Sequence, residues 1–379
     1  MPPFLRQQGS PCLCGRSHFN VLIMDRDGLI RQVKLNCTIS DAKFWGYYSV
    51  CGLLMRMREL YLNEQSLMPW DNAPADAVSR WVSGREAQWG DLEDEGLHEI
   101  TAGGRLHDPF DADALNLLLK DSKLIYGSGY ATFNKPTFFV AELVESRELL
   151  DYRVCFAGRE LCRDLAAYAA MLQGRCIYVR YDVIKAVIFD RFQTMRSRRF
   201  GGVVEEMFRQ HGIGKNDPLS QDLICRFGDM AVAVSELFVR HEVGEAYEDE
   251  GSEEWAEIIG SCGDRHSELY LRGIKDVIAD TSVMGPLRAI TEAGHRPLLY
   301  AYMAFLDGLR RAIFPMIGNA FQRFAETGEW PLIEEARAGG YEKAWKWRET
   351  VLRLWKDGGK DAVRKYLSET FSQGKPAGA

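Results

Sequence analysis

A mainly α protein in two parts is predicted by this 379-residue sequence: an α+β N-terminal half with a small sheet, then an all-α helical bundle as the C-terminal half. Three observations carry this. Apolar residues recur every three or four positions through most of the chain, strand formers concentrate in three short stretches between 136 and 181, and Gly and Pro cluster between 201 and 218. The length exceeds what one ordinary core fills, so two domains are expected, 24–203 and 218–379, behind a loose extension over 1–23.

The extension has no apolar period, and its Cys12, Cys14 and His18 lack the second ligand pair of a metal knuckle. Asp27 can cap a helix carrying Leu29, Ile30 and Val33, although a hairpin turning at Asp27-Gly28 competes for the same stretch. Ser40 is placed to cap a helix over about 41–62, in which Phe44, Tyr48, Cys51, Leu54 and Met55 form one stripe. Pro69-Trp70-Asp71-Asn72 breaks the chain, and helices follow over 75–89 and about 111–121.

Tyr126-Gly127-Ser128-Gly129-Tyr130 looks like a flexible turn, since a phosphate loop would have to open a helix. Strands are expected over 136–144, 152–157 and 175–181, with helices over 159–172 and 182–195. Within the first of these helices, Arg159, Glu160, Arg163 and Asp164 suit an ion network between elements, with an anion site as the rival reading. After the Gly/Pro junction come helices over about 219–249, 253–260, 264–282, 286–293, 298–325, 331–338, 341–357 and 359–371, with no repeat period.

Composition narrows the class. A 46% hydrophobic chain with nine Trp and nineteen Phe excludes general disorder. A net charge of −7 gives no overall pull toward nucleic acid or anionic lipid, so the basic run of Arg191, Arg196, Arg198 and Arg199 with Phe192 and Phe200 is a weak nucleic-acid signal. The longest apolar stretch, 138–144, is interrupted by Glu142 and is far short of a membrane span. Nine Cys, mostly single and in apolar surroundings, suit a reducing cytoplasm. No Gly-x-Ser-x-Gly elbow, P-loop or dinucleotide fingerprint is present.

The concentrated chemistry lies in two C-terminal helices. His241 continues the apolar stripe Met230, Val234, Leu237, so it points inward, and Glu245 lies one turn later on the same side. Gly244 between them costs about 1 kcal/mol of helix propensity against Ala, which indicates a close neighbour. On the next helix Glu268, Arg272, Asp276 and Asp280 step at intervals of four, and the like charges Asp276 and Asp280 need a cation between them.

Two readings follow. His241, Glu245, His266, Glu268, Asp276 and Asp280 are N and O donors of the kind that bind iron, manganese or zinc, which would make a metal-dependent hydrolytic or redox enzyme. The spacing matches neither a zinc-protease helix nor Glu-x-x-His di-iron pairs. In the second reading, His241, Glu245, Arg272 and Asp276 form a structural polar network in a non-catalytic binding or regulatory protein, whose partner is a small molecule or another protein.

Several blocks in order give the chain a family likeness: Asn36-Cys37-x-Ile39-Ser40-Asp41-Ala42, Pro69-Trp70, Pro109-Phe110-Asp111, Lys135-Pro136-Thr137-Phe138-Phe139, Gly158-Arg159-Glu160-Leu161-x-Arg163-Asp164-Leu165, His241-Glu242-x-Gly244-Glu245, Lys275-Asp276-x₃-Asp280-Thr281 and Phe314-Pro315. From about Leu29 to Leu354 it resembles an uncharacterised two-part bacterial family of domains of unknown function. The resemblance implies a two-domain arrangement and brings no activity, cofactor or catalytic residue.

Overall fold

The computed structural model describes residues 25–197, 202–248, 252–306 and 308–371. The 1–23 extension with Cys12, Cys14 and His18 lies outside these residues, as do Arg198, Arg199 and Phe200.

Helix α1 (Arg26–Phe44) starts where the Asp25 carboxylate accepts from the Gly28 backbone N–H, so the helical reading of this stretch holds with the cap two residues earlier. Ser40 caps nothing. It lies buried inside α1, its hydroxyl donating to the Pro136 carbonyl, because the buried stripe of α1 runs on through Ile39 and Asp41. A 3₁₀ turn at Trp45–Tyr47 ends that stripe, and α2 (Val50–Glu64) restarts on Ser49, whose side chain accepts from Gly52. Helix α3 (Ala75–Leu92) follows. Then comes a hairpin that the sequence reading missed, β1 (Ile100–Ala102) and β2 (Arg105–His107), turning on Gly103 and Gly104 at φ 57° and 75°. Asp111 caps α4 (Ala112–Leu119).

The main sheet has β3 (Leu124–Tyr130), β4 (Pro136–Leu149), β5 (Tyr152–Arg163), β6 (Ala170–Gln173) and β7 (Cys176–Arg180) in the order β3-β4-β5-β7-β6. Only the β5–β7 pair is parallel. The 126–130 stretch is strand, not turn: Gly127 is small because the Phe139 ring fills the place of a side chain, at 2.1 Å from a notional Cβ. The 159–172 stretch is strand and loop, not helix, because its charges are matched across the sheet rather than along one helical face. Arg159 meets Glu142 at 2.9 Å, Glu160 meets Arg180, and Asp164 meets Lys135 at 3.4 Å. The ion network between elements is thus present.

The remaining elements are all helices: α5 (Tyr181–Ser197), α6 (Val203–Gln210), α7 (Gln221–Tyr247), α8 (Ser252–Ser261), α9 (Arg265–Thr281), α10 (Pro286–Ala293), α11 (Arg296–Phe305), α12 (Gly308–Ile313), α13 (Pro315–Thr327) and α14 (Trp330–Phe371). The single helix expected over 298–325 is three, since Pro315 can only begin a helix at that point. Conversely, Gly339-Gly340 does not interrupt α14. Gly340 admits the Phe314 ring, 2.4 Å from a notional Cβ, and the non-helical residue is Gly359 at φ 63°. Side chains of β5 and β7 share one apolar core with α5, α7, α9, α11, α13 and α14, while α1, α4, β3 and β4 enclose a second. No helix among the described residues is long and apolar enough to cross a membrane.

Candidate functional site

Helices α7 and α9 cross at a backbone contact that glycine permits. A Cβ on Gly244 would lie 2.4 Å from the Ala279 carbonyl oxygen and 3.2 Å from the Gly285 Cα. This close approach is the neighbour the sequence indicated, and it brings the polar side chains flanking Gly244 against those flanking Ala279.

His241 Nδ1 lies 2.8 Å from Asp280 Oδ1, and its Nε2 is 3.7 Å from Glu245. Asp280, 2% exposed, also accepts from the Tyr302 hydroxyl of α11 at 3.0 Å and from Arg310 of α12 at 3.5 Å. Burial disfavours the imidazolium, but the Asp280 carboxylate overcomes this and holds the His241 pKa up at about 10. Burial would likewise raise the Asp280 carboxyl, yet His241 and Arg310 keep it below the usual range. His241 is therefore charged at neutral pH, with a proton on each ring nitrogen.

The neighbouring carboxylates divide. Glu245 pairs with Lys275, and against the effect of burial that cation keeps its pKa low. Burial, followed by the charge of Glu245, pushes Glu242 up to about 7 although it accepts from the Leu172 backbone N–H. Asp276 is raised by burial, with His241 and Arg310 opposing. These two cations are what the like-charged Asp276 and Asp280 needed.

The six candidate metal ligands do not meet at one point. His266 is exposed near the start of α9, and Glu268 pairs with Arg272 at 2.8 Å while accepting the Phe133 backbone N–H at 3.2 Å. At about 1.5 Å per helical residue, His266 lies roughly 20 Å along the axis from Asp280. Among the described residues no group of three or more His, Cys, Asp or Glu is placed to hold a metal ion. Tyr302 and Arg310 complete the cluster from α11 and α12, which no local pattern connects with it.

Beside the cluster opens a cleft of about 280 Å³ between the two halves of the chain. The sheet half contributes Tyr130, Ala131 and Asn134 from the end of β3 and the turn after it, where Phe133 and Asn134 take φ of 62° and 54°. Trp255, Ile259, Ile278 and Ala279 make an apolar wall; Arg272, Lys275 and Arg348 supply positive charge, facing Glu245 and Glu248. Arg272, Asn134 and Ile259 also border a wider neighbouring cleft of about 520 Å³ lined by Tyr47, Tyr48 and Phe133, with Tyr47 stacked on Phe133 at 4.9 Å.

A second polar centre lies within the sheet half. Lys135, 2% exposed, reaches Asp41 at 3.0 Å, Asp164 at 3.4 Å and the Ser40 hydroxyl at 3.0 Å. Asp164 accepts the backbone N–H groups of Phe138 and Ala166, and Asp41 accepts that of Leu165. With every group engaged inside the protein, this centre locks α1 to β4 and to the chain after β5.

Residues 28–180 match the N-terminal domain, and residues 185–373 the C-terminal domain, of a family of unknown function, DUF6866. No curated protein and no solved structure matches the chain.

Proposed function

The chain belongs to the DUF6866 family of unknown function, and from that premise we propose that it is a binding protein for a small organic monoanion. The ligand lies in the cleft between the turn after β3 and helices α7, α8 and α9. One observation carries this reading: a single cleft sets an apolar wall of Trp255, Ile259 and Ile278 opposite Arg272, Lys275 and Arg348, of which Arg272 also pairs with Glu268 and Lys275 with Glu245. Glu245 is engaged by Lys275, and Glu248 accepts from the Tyr341 hydroxyl through Oε2, while its Oε1 has no hydrogen-bond partner among the described residues. A ligand with one carboxylate and a flat or branched apolar body uses both surfaces. The His241–Asp280–Tyr302–Arg310 network serves as the rigid backing that sets α7 against α9, in place of metal chemistry.

Ala256 lines the cleft from an exposed position on α8, so Ala256→Trp fills the cleft without disturbing the core. Thermal melting of the full chain against benzoate and indole acetate should show a saturable stabilisation by at least one of them, abolished in Ala256→Trp. Stabilisation that survives in the variant, or none in the wild type, overturns the proposal. So does a stoichiometric transition metal found by elemental analysis of protein purified without a metal-affinity tag.

A further inference from the structure

A separate cleft of about 300 Å³ between α2, β5 and α5 contains hydrogen-bonding atoms that the protein leaves unmatched. The Nε of Arg163, the Nε of Arg191 and the Oδ1 of Asn63 are buried without a hydrogen-bond partner among the described residues, the first of them in a loose ion pair with Glu160, and all three residues line this cleft. Folded proteins seldom bury such atoms unmatched, and three around one cavity call for a cause. The Arg163 side chain is 8% exposed and has only loose ion pairs, to Glu160 at 3.5 Å and to Glu59 at 4.0 Å. The Asn63 amide cannot be turned to cure its deficit, because its NH₂ donates to the Glu160 carbonyl at 2.9 Å and reversal would set two oxygens face to face.

The unmatched atoms specify complementary chemistry. The guanidinium groups of Arg163 and Arg191 favour an anionic acceptor over a neutral one, and the Asn63 oxygen calls for an N–H or O–H donor. Glu59, Asp182 and Asp190 line the same cleft, so a polyanion is repelled and a ligand that also carries positive charge is favoured. We propose that this cleft binds a small zwitterion of the α-amino-acid class, with its carboxylate on Arg163 and Arg191 and its ammonium group toward Asn63 and the acidic side. The site is distinct from the monoanion cleft and does not depend on it.

Isothermal titration of the full chain with the standard amino acids tests this, with acetate and inorganic phosphate as anion-only probes. At least one amino acid should bind more tightly than millimolar, and acetate and phosphate at least about tenfold more weakly. Arg191→Gln, on a half-buried helix face, should weaken that binding by about tenfold or more, whereas Ala256→Trp should leave it unchanged. Absence of binding by every amino acid, binding of phosphate as tight as that of the amino acid, or an Arg191→Gln protein with wild-type affinity each overturns the proposal. Loss of amino-acid binding in Ala256→Trp would assign it to the first cleft and overturn it too.

Discussion

His241 and Asp280 meet Nδ1 to Oδ1 at 2.8 Å across the α7–α9 crossing, a pair that ties the two helices one turn away from the point where Gly244 lets their backbones touch. Because Asp280 also takes Tyr302 and Arg310, one carboxylate joins four helices.

Asp280→Asn should therefore be strongly destabilising. It leaves the His241 and Arg310 charges facing a neutral amide in a buried setting, which costs on the order of 3 kcal/mol or more. Tyr302→Phe removes one hydrogen bond to the same carboxylate and should cost about 1 kcal/mol. Urea midpoints measure both, and an Asp280→Asn protein as stable as the wild type would contradict the network.

Stability should fall as pH rises through the range set by His241. Its pKa is 6.5 in ordinary surroundings and about 10 in the fold, so the folded state holds the proton more tightly. The stabilisation is complete below about 6.5 and is lost on approaching 10. The advantage of the wild type over His241→Gln should shrink across that window, as followed by denaturant midpoints. An imidazole that titrates near 6.5 by NMR would refute this.

Glu242 has the same sign for a different reason. Its pKa rises from 4.5 to about 7 because burial opposes the charge, so the stability linked to its proton is full below 4.5 and lost through 7. Glu242→Gln should match the wild type at pH 5 and exceed it at pH 8. Equal stability at both values would show that the carboxylate carries no burial cost.

Gly244→Ala should destabilise although Ala is the better helix former by about 1 kcal/mol. The new Cβ would meet the Ala279 backbone, which cannot yield as a side chain would, and the net loss should be about 2 kcal/mol. Gly228 lies on the same helix with nothing within 4 Å of its notional Cβ, so Gly228→Ala serves as the control and should stabilise. Thermal melting that moves the same way in both variants would remove the close crossing as the cause.

Lys135→Met should be among the most damaging substitutions in the sheet half. It leaves Asp41 and Asp164 buried without their cation, at a cost of about 3–5 kcal/mol. Burial already raises Asp41 to about 6 against the pull of Lys135, and without that cation the carboxyl would move higher still. A melting temperature within a few degrees of the wild type would sink this account.

Parts of the fold were legible because their signals are local. Stripes such as Met230, Val234, Leu237 placed His241 toward the interior, and Gly244 marked a close contact before its partner was known. Strands β3 and the end of β5 were misread because their residues answer to remote neighbours: glycine at 127 to the Phe139 ring, Glu160 to Arg180. The Gly103-Gly104 turn did carry a hairpin signal, on flanks too short to show alternation.

The sequence by itself determined which face of α7 and α9 is apolar, that the ionisable side chains crowd onto those two helices, and that a sheet lies among helices, since periodicity and propensity are properties of neighbours along the chain. Only the tertiary structure decided that Asp280 rather than His266 or Glu268 faces His241, that Tyr302 and Arg310 close the cluster, and that two clefts border the polar residues. Position along a helix axis and the choice of packing partner depend on how distant segments bury their apolar faces together, and no local pattern encodes that distance.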